Sequence, residues 1–138
     1  MRLVKNEEKY WEFIRNLRND PEVKRGFINQ THISKEDQEI YMDLHPDSYY
    51  VLLDDNRPVG YIGEVDDDIR LAVSKNEQRR GYARKMLDIF MKLHPRAKAK
   101  VLHRNTPSLR LFESCGFVQY TFDNKFNYYR YDVQVDKA

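Results

Sequence analysis

The sequence predicts an α/β fold: one domain built on a mixed, largely antiparallel sheet flanked by helices. Three observations carry this expectation. Strand-like apolar segments follow one another from Tyr49 to Val73, separated only by Asp54-Asp55-Asn56 and Asp66-Asp67-Asp68, which describes an antiparallel meander. Apolar residues recur at helical spacing in residues 7–19 and 84–94. Two further strand-like segments surround Asp123-Asn124-Lys125 and form a closing hairpin. A chain of 138 residues suits one hydrophobic core, so the domain is expected to span residues 1–138.

Taken in order, Arg2 to Lys5 is a short first strand. Asn6 has the chemistry of an N-cap, and Glu7 and Glu8 suit a first turn because carboxylates there meet the positive end of the helix dipole. Tyr10, Trp11, Ile14 and Leu17 then mark one face of a helix over 7–19, which Pro21 ends. Residues 21–33 carry no decisive pattern. Ser34-Lys35-Glu36-Asp37 resembles a capping box with Asp in place of Glu, opening a short helix to about Leu44. Strands follow at 49–53, 58–65 and 69–73. A helix from Arg84 to His94 presents Ala83, Met86, Leu87 and Phe90 on one side, and Pro95 stops it. Lys98 to Arg104 is a strand. Thr106 is expected to cap a helix with Pro107 at its first position and Gly116 at its left-handed end. Phe117 to Phe122 and Phe126 to Val135 form the hairpin, and Asp136 to Ala138 is expected to fray.

Composition narrows the function classes. With 24 Lys+Arg against 22 Asp+Glu the net charge is +2, too balanced to argue for a nucleic-acid partner. Cys115 is the only cysteine, which excludes an internal disulfide and points to a reducing, cytoplasmic setting. No apolar run reaches the length of a membrane span, and Met1 to Asn6 lacks the apolar stretch of a secretory signal. No Cys/His cluster suggests a metal site. Neither a nucleic-acid partner nor a membrane is expected, and the chain is expected to be a monomer or homodimer.

The run Gln78-Arg79-Arg80-Gly81-Tyr82-Ala83 stands between a strand and a helix. Backbone N–H groups at a helix start lack intrahelical acceptors, so a basic, glycine-containing turn there suits a phosphate-rich ligand. Gly81 allows close backbone approach, and Arg79, Arg80 and Arg84 add charge. A solvated turn capping a core helix is the competing reading of this run alone. A second motif, Asn105-Thr106-Pro107-Ser108-Leu109-Arg110-Leu111-Phe112-Glu113-Ser114-Cys115-Gly116-Phe117, follows after one helix and one strand.

Together these motifs make the segment from about Tyr49 to Phe117 resemble the GCN5-related N-acetyltransferases, the GNAT enzymes. The first looks like that family's pyrophosphate loop and the second like its Asn, Ser, aromatic, Glu, Gly-Phe helix. The resemblance implies acetyl-CoA as co-substrate, with the strand before the loop splayed from its neighbour to admit the pantetheine arm. It implies that backbone groups of Leu71, Ala72 and Val73 bind the arm and the thioester carbonyl. Gln78, Arg79, Arg80, Gly81, Tyr82, Ala83 and Arg84 would hold the pyrophosphate, and Asn105, Ser108 and Phe112 the opposite wall. Phe112 departs from the Tyr that many members carry, whose hydroxyl is held to protonate the departing thiolate. Tyr120, Tyr128, Tyr129 or a water would then take that part. Leu109 and Cys115 read as helix core.

An amine must lose a proton to attack, and a carboxylate near the splayed strands is the usual acceptor. Glu64 is the first candidate and Asp68 the second, with His103 a third; Asp66 and Asp67 read better as a solvated turn. The implied reaction is transfer of an acetyl group to a primary amine of a small molecule by direct attack in a ternary complex. The Arg18-to-Pro21, Ile33-Ser34 and Tyr49-to-Val51 segments resemble members that acetylate amino groups on nucleotide-linked sugars. Arg18, Lys24 and Arg25 could meet a phosphate or carboxylate, although a solvated helix face explains each singly. A polyamine or an antibiotic amine is an alternative acceptor, and a non-catalytic acyl-CoA-binding module and an acetyltransferase for protein N-termini or lysines are the alternative functions.

Overall fold

A computed structural model describes residues 1–24, 31–78 and 80–131. The elements are β1 (Arg2–Lys5), α1 (Glu8–Asn19), α2 (Pro21–Lys24), α3 (Lys35–Leu44), β2 (Tyr49–Asp54), β3 (Arg57–Val65), β4 (Asp68–Val73), α4 (Tyr82–Leu93), β5 (Lys98–Leu102), α5 (Thr106–Ser114), β6 (Phe117–Phe122) and β7 (Phe126–Tyr131). The strands form a seven-stranded sheet in the order β1-β2-β3-β4-β5-β7-β6. Only β4 and β5 run parallel. This is the expected mixed, largely antiparallel α/β architecture.

Local chemistry explains the joints. Both meander turns hold two consecutive residues at positive φ: Asp55 and Asn56 (51° and 63°), and Asp66 and Asp67 (54° and 64°). Asn and Asp tolerate this conformation, and paired positive φ matches the twist of tight hairpins. Ser34 caps α3 as expected, accepting from the Asp37 N–H at 3.0 Å.

Two caps differ from expectation. Glu7, not Asn6, is the N-cap of α1, and it makes no side-chain cap bond. Asn6 instead donates its amide to Met42 Sδ, because tertiary packing of α3 captures that side chain. Asn105, not Thr106, caps α5, accepting from the Ser108 N–H at 3.3 Å. Gly116 ends α5 at φ 90° as expected. Residues 132–135 of the expected final strand, and the tail beyond it, lie outside the described residues.

The sheet carries a core on each face. On one, α4 buries Tyr82, Met86, Leu87, Phe90 and Met91 against Leu52, Val59, Ile62, Ile69 and Val73. At about 1.5–3 kcal/mol per buried large apolar side chain, these five contribute roughly 8–15 kcal/mol before the cost of ordering them. On the other face, Ile14, Leu17 and Met42 from α1 and α3 meet Tyr49, Val51, Tyr61 and Ala72. Side chains alternate along β4, so Ile69 and Val73 face α4, while Asp68, Arg70 and Ala72 face α1 and α3.

Candidate active site

The site begins where the sheet fails to close. β4 and β5 are in register at a single pair, Asp68↔Lys98. Beyond it the strands diverge: β5 continues its pairing with β7, and β4 with β3. Peptide groups of Leu71 to Val73 on the β5 side therefore lack a ladder partner strand, and a buried peptide group needs a strand, a side chain, water or a ligand in its place. The opening leads into a cleft of about 810 Å³, within the size range of small-molecule sites.

The basic turn forms one wall. A 3₁₀ turn at Lys75–Glu77 leads to Gln78, whose side-chain amide donates to the Val73 carbonyl at 3.3 Å. Gly81 is the N-cap of α4 at φ 79°, and an added Cβ there would meet nothing within 4 Å. The first turn of α4 has no side-chain cap and no acidic residue, so its N–H groups face the cleft with the helix dipole behind them. Tyr82 is buried and donates its hydroxyl to Asp54, which anchors the helix start to β2. The residues present fit a pyrophosphate: open space over a glycine, uncapped N–H groups and adjacent guanidinium groups.

Leu71, Ala72, Val73, Gln78, Gly81, Tyr82, Ala83, Arg84, Asn105 and Ser108 all line this cleft. Each of these is a residue that the family resemblance implies for the donor site. Arg80 stands next to it, 3.4 Å from the Glu77 carboxylate. Arg79 lies outside the described residues. Phe112 is placed in the core, not in the cleft wall. It is 5% exposed, packed edge-on to Phe117 with centroids 5.0 Å apart and stacked on Tyr129 at 6.4 Å. The apolar face of α5 turns it toward the sheet.

The proposed proton donors and acceptors are not among the lining residues. Tyr129 is buried and points its hydroxyl toward Glu113, Tyr128 donates to Asp123, and Tyr120 is exposed on β6. His103 is drawn away to the hairpin turn, where its Nε2 lies 2.7 Å from the Asp123 carbonyl oxygen. Glu64 sits at the far end of α4, 3.7 Å from His94 Nδ1, and His94 Nε2 in turn lies 2.9 Å from the Tyr50 hydroxyl. Burial raises the Glu64 carboxyl above its ordinary value, and neighbouring Asp67 adds to this. Asp68 lies at the closed end of the wedge. Burial raises its carboxyl also, opposed by Arg70 and Lys100.

Sequence reasoning missed several groups. Glu22, Val23, Glu77, Arg104, Pro107 and Leu111 complete the lining. Glu77 is a nearly buried carboxylate that bridges Arg57 and Arg80, and the Arg57 contact holds it below its ordinary value. A single acid inside the basic run from Lys75 to Arg80 was the available signal. On the α1/α3 face, the Tyr41 hydroxyl lies 2.7 Å from that of Tyr49 and accepts from Arg70 at 3.3 Å. Arg18 stands 5.1 Å from the centre of the Tyr41 ring. Burial holds the Tyr49 and Tyr61 hydroxyls well above their ordinary range, so both stay protonated. Among the described residues no group of His, Cys, Asp and Glu could hold a metal ion, and no helix is long and apolar enough to cross a membrane.

Solved structures of other proteins share this fold. A spermidine N-acetyltransferase from Vibrio cholerae, solved with CoA and spermine, superposes with a TM-score of 0.79 over 93% of this chain and 92% of its own, at 17% identity. A GNAT-family acetyltransferase from Bacillus anthracis gives 0.74 over 92% and 90%, at 20% identity. A domain from Methanocaldococcus jannaschii gives 0.73 over 93% and 96%, at 19% identity. At these identities the likeness is one of fold. No curated protein matches the sequence significantly. The sequence profile of the acetyltransferase (GNAT) family matches residues 11–117, and the chain therefore belongs to that family of acetyl-CoA-dependent acetyltransferases.

Proposed function

We propose that this chain, as one domain over residues 1–138, moves an acetyl group from acetyl-CoA to a primary amine of a small molecule by direct attack in a ternary complex. Nucleotide-linked amino sugars are among the candidate acceptors. The observation that carries the reading is the wedge between β4 and β5, which opens onto the uncapped start of α4. When bound, acetyl-CoA supplies an activated thioester.

The chain's own residues would bind, orient and move a proton. The first-turn N–H groups of α4 with Arg80 and Arg84 would hold the pyrophosphate, and peptide groups of Leu71 to Val73 on the side that β5 leaves open would align the arm as an added strand. An N–H fixed on β4 stabilises charge that develops on a carbonyl oxygen, and does so without reorganising. We take Asp68 ahead of Glu64 as proton acceptor, because by strand alternation it shares the α1/α3 face with Arg70 and Ala72, whereas Glu64 stands beside His94. Burial raises both carboxyls toward the range that general-base work near neutrality needs, so the face each occupies separates them.

The test is a thiol-release assay across primary amines. Acetyl transfer should be reduced in Arg80→Glu and largely lost in Asp68→Asn, with Glu64→Gln less affected. Full activity in Asp68→Asn with loss in Glu64→Gln would reassign the base. No transfer to any amine by a protein that binds acetyl-CoA would refute the catalytic reading.

A further inference from the structure

We infer that the acceptor carries an anionic group, a carboxylate or a phosphate ester, and that Arg18 and Arg70 receive it beside Tyr41. The inference rests on the proposed donor cleft and names the substrate class for its other side. Arg70 precedes the cleft-lining Leu71 and Ala72 on β4 and projects to the α1/α3 face, where it donates to the Tyr41 hydroxyl at 3.3 Å. Arg18, in the last turn of α1, covers the ring of the same tyrosine at 5.1 Å. Two like charges thus converge on one aromatic ring, next to the wedge.

Their compensation is incomplete. Asp68 lies 3.9 Å from Arg70 Nε, at the outer limit of an ion pair. Among the described residues Arg18 makes no ion pair or hydrogen bond. Arg70 is only 40% exposed at its side chain, so water screens it incompletely. Tyr49 and Tyr61, both buried, supply hydroxyl groups but no negative charge. A guanidinium presents a planar fork of donors that matches carboxylate and phosphate geometry. An acceptor with its amine near Asp68 and its anion against the two guanidinium groups would reduce the positive charge gathered at Tyr41. A polyamine would bring further positive charge to a cationic wall.

The experiment is calorimetry on the CoA-saturated protein with two matched pairs, glucosamine 6-phosphate against glucosamine and glycine against glycinamide, and with spermidine. A charge-assisted contact predicts about tenfold tighter binding of the anionic member. A preference in the sugar pair alone assigns a phosphate ester, and one in the amino-acid pair alone a carboxylate. Arg18→Gln and Arg70→Gln should each bring the ratio toward one with CoA affinity unchanged, and Arg70→Lys should restore part of it. The inference is overturned if neutral members or spermidine bind as well as the anionic ones, if no member of the panel binds, or if the ratio survives in both glutamine variants. Those outcomes leave CoA binding intact, whereas failure of the parent protein to bind CoA would overturn the donor cleft itself.

Discussion

Replacing Gly63 by alanine should destabilise the protein strongly, and the size of the effect follows from one close approach. Gly63 pairs with Tyr49 across β2 and β3. An added Cβ would lie 2.6 Å from Tyr49 Cδ1 and 3.0 Å from Tyr49 Cα, and closer still to the Ser48 carbonyl oxygen. Backbone atoms cannot rotate aside. The Ser48 carbonyl also accepts from the Glu64 N–H at 3.0 Å, so opening the strands strains that bond. Tyr49 is 2% exposed and packs edge-on against Tyr61, so its ring has no free space to enter. Overpacking at about 1–3 kcal/mol plus a weakened hydrogen bond at about 1 kcal/mol gives roughly 2–4 kcal/mol. For 138 residues, an unfolding entropy of about 2.1 cal/mol/K per residue converts this to a fall in Tm of roughly 7–14 °C. Thermal unfolding followed by circular dichroism measures it. A midpoint within about 2 °C of the parent would refute the reasoning, because the strands would then not approach so closely. Gly81→Ala, where no atom is met, should lose only the left-handed φ term of about 1–2 kcal/mol.

Three further outcomes are expected. Phe90→Ala should cost about 3–5 kcal/mol in chemical denaturation, since the ring is fully buried and stacks on His94; a loss below about 1 kcal/mol would show that the site collapses around the gap. Phe112→Leu should lower stability by about 1–2 kcal/mol while changing CoA affinity less than about twofold, and the reverse pattern would return Phe112 to the cleft wall. Asp123 accepts from the Tyr128 hydroxyl and the Lys125 and Phe126 N–H groups, which hold its carboxyl down to about 2 from an ordinary 3.8. A depressed carboxyl stabilises the fold above its unfolded value, and that stability is lost as pH falls from about 3.8 through about 2. Asp123→Asn should therefore lower Tm near neutrality and match the parent below pH 2; an equal gap at both pH values would contradict this.

The strand-turn order was legible because its signals are local. Asp55-Asn56 and Asp66-Asp67 are residues that tolerate positive φ, and they end strands whatever packs around them. The donor cleft was legible for a related reason, since Gln78 to Ala83 joins a strand end to a helix start within one short run. Groups whose role depends on a distant element were not legible. Asn6 is taken from its cap position by Met42, and His103 is held by the turn at Asp123. Phe112 faces the core because α5 rotates that side of the helix toward β6 and β7, which linear spacing does not state. Arg70 is a charge inside the apolar run Ile69 to Val73, and only Tyr41, from another helix, shows what it serves.

The wedge between β4 and β5 and the start of α4 are proposed to hold acetyl-CoA. Calorimetric titration of the purified protein with CoA tests it most directly, with Arg84→Glu alongside. Saturable one-to-one binding with Kd below about 100 μM is expected, weakened about tenfold or more in the variant. Absence of binding at high micromolar CoA, or undiminished binding by Arg84→Glu, would contradict it.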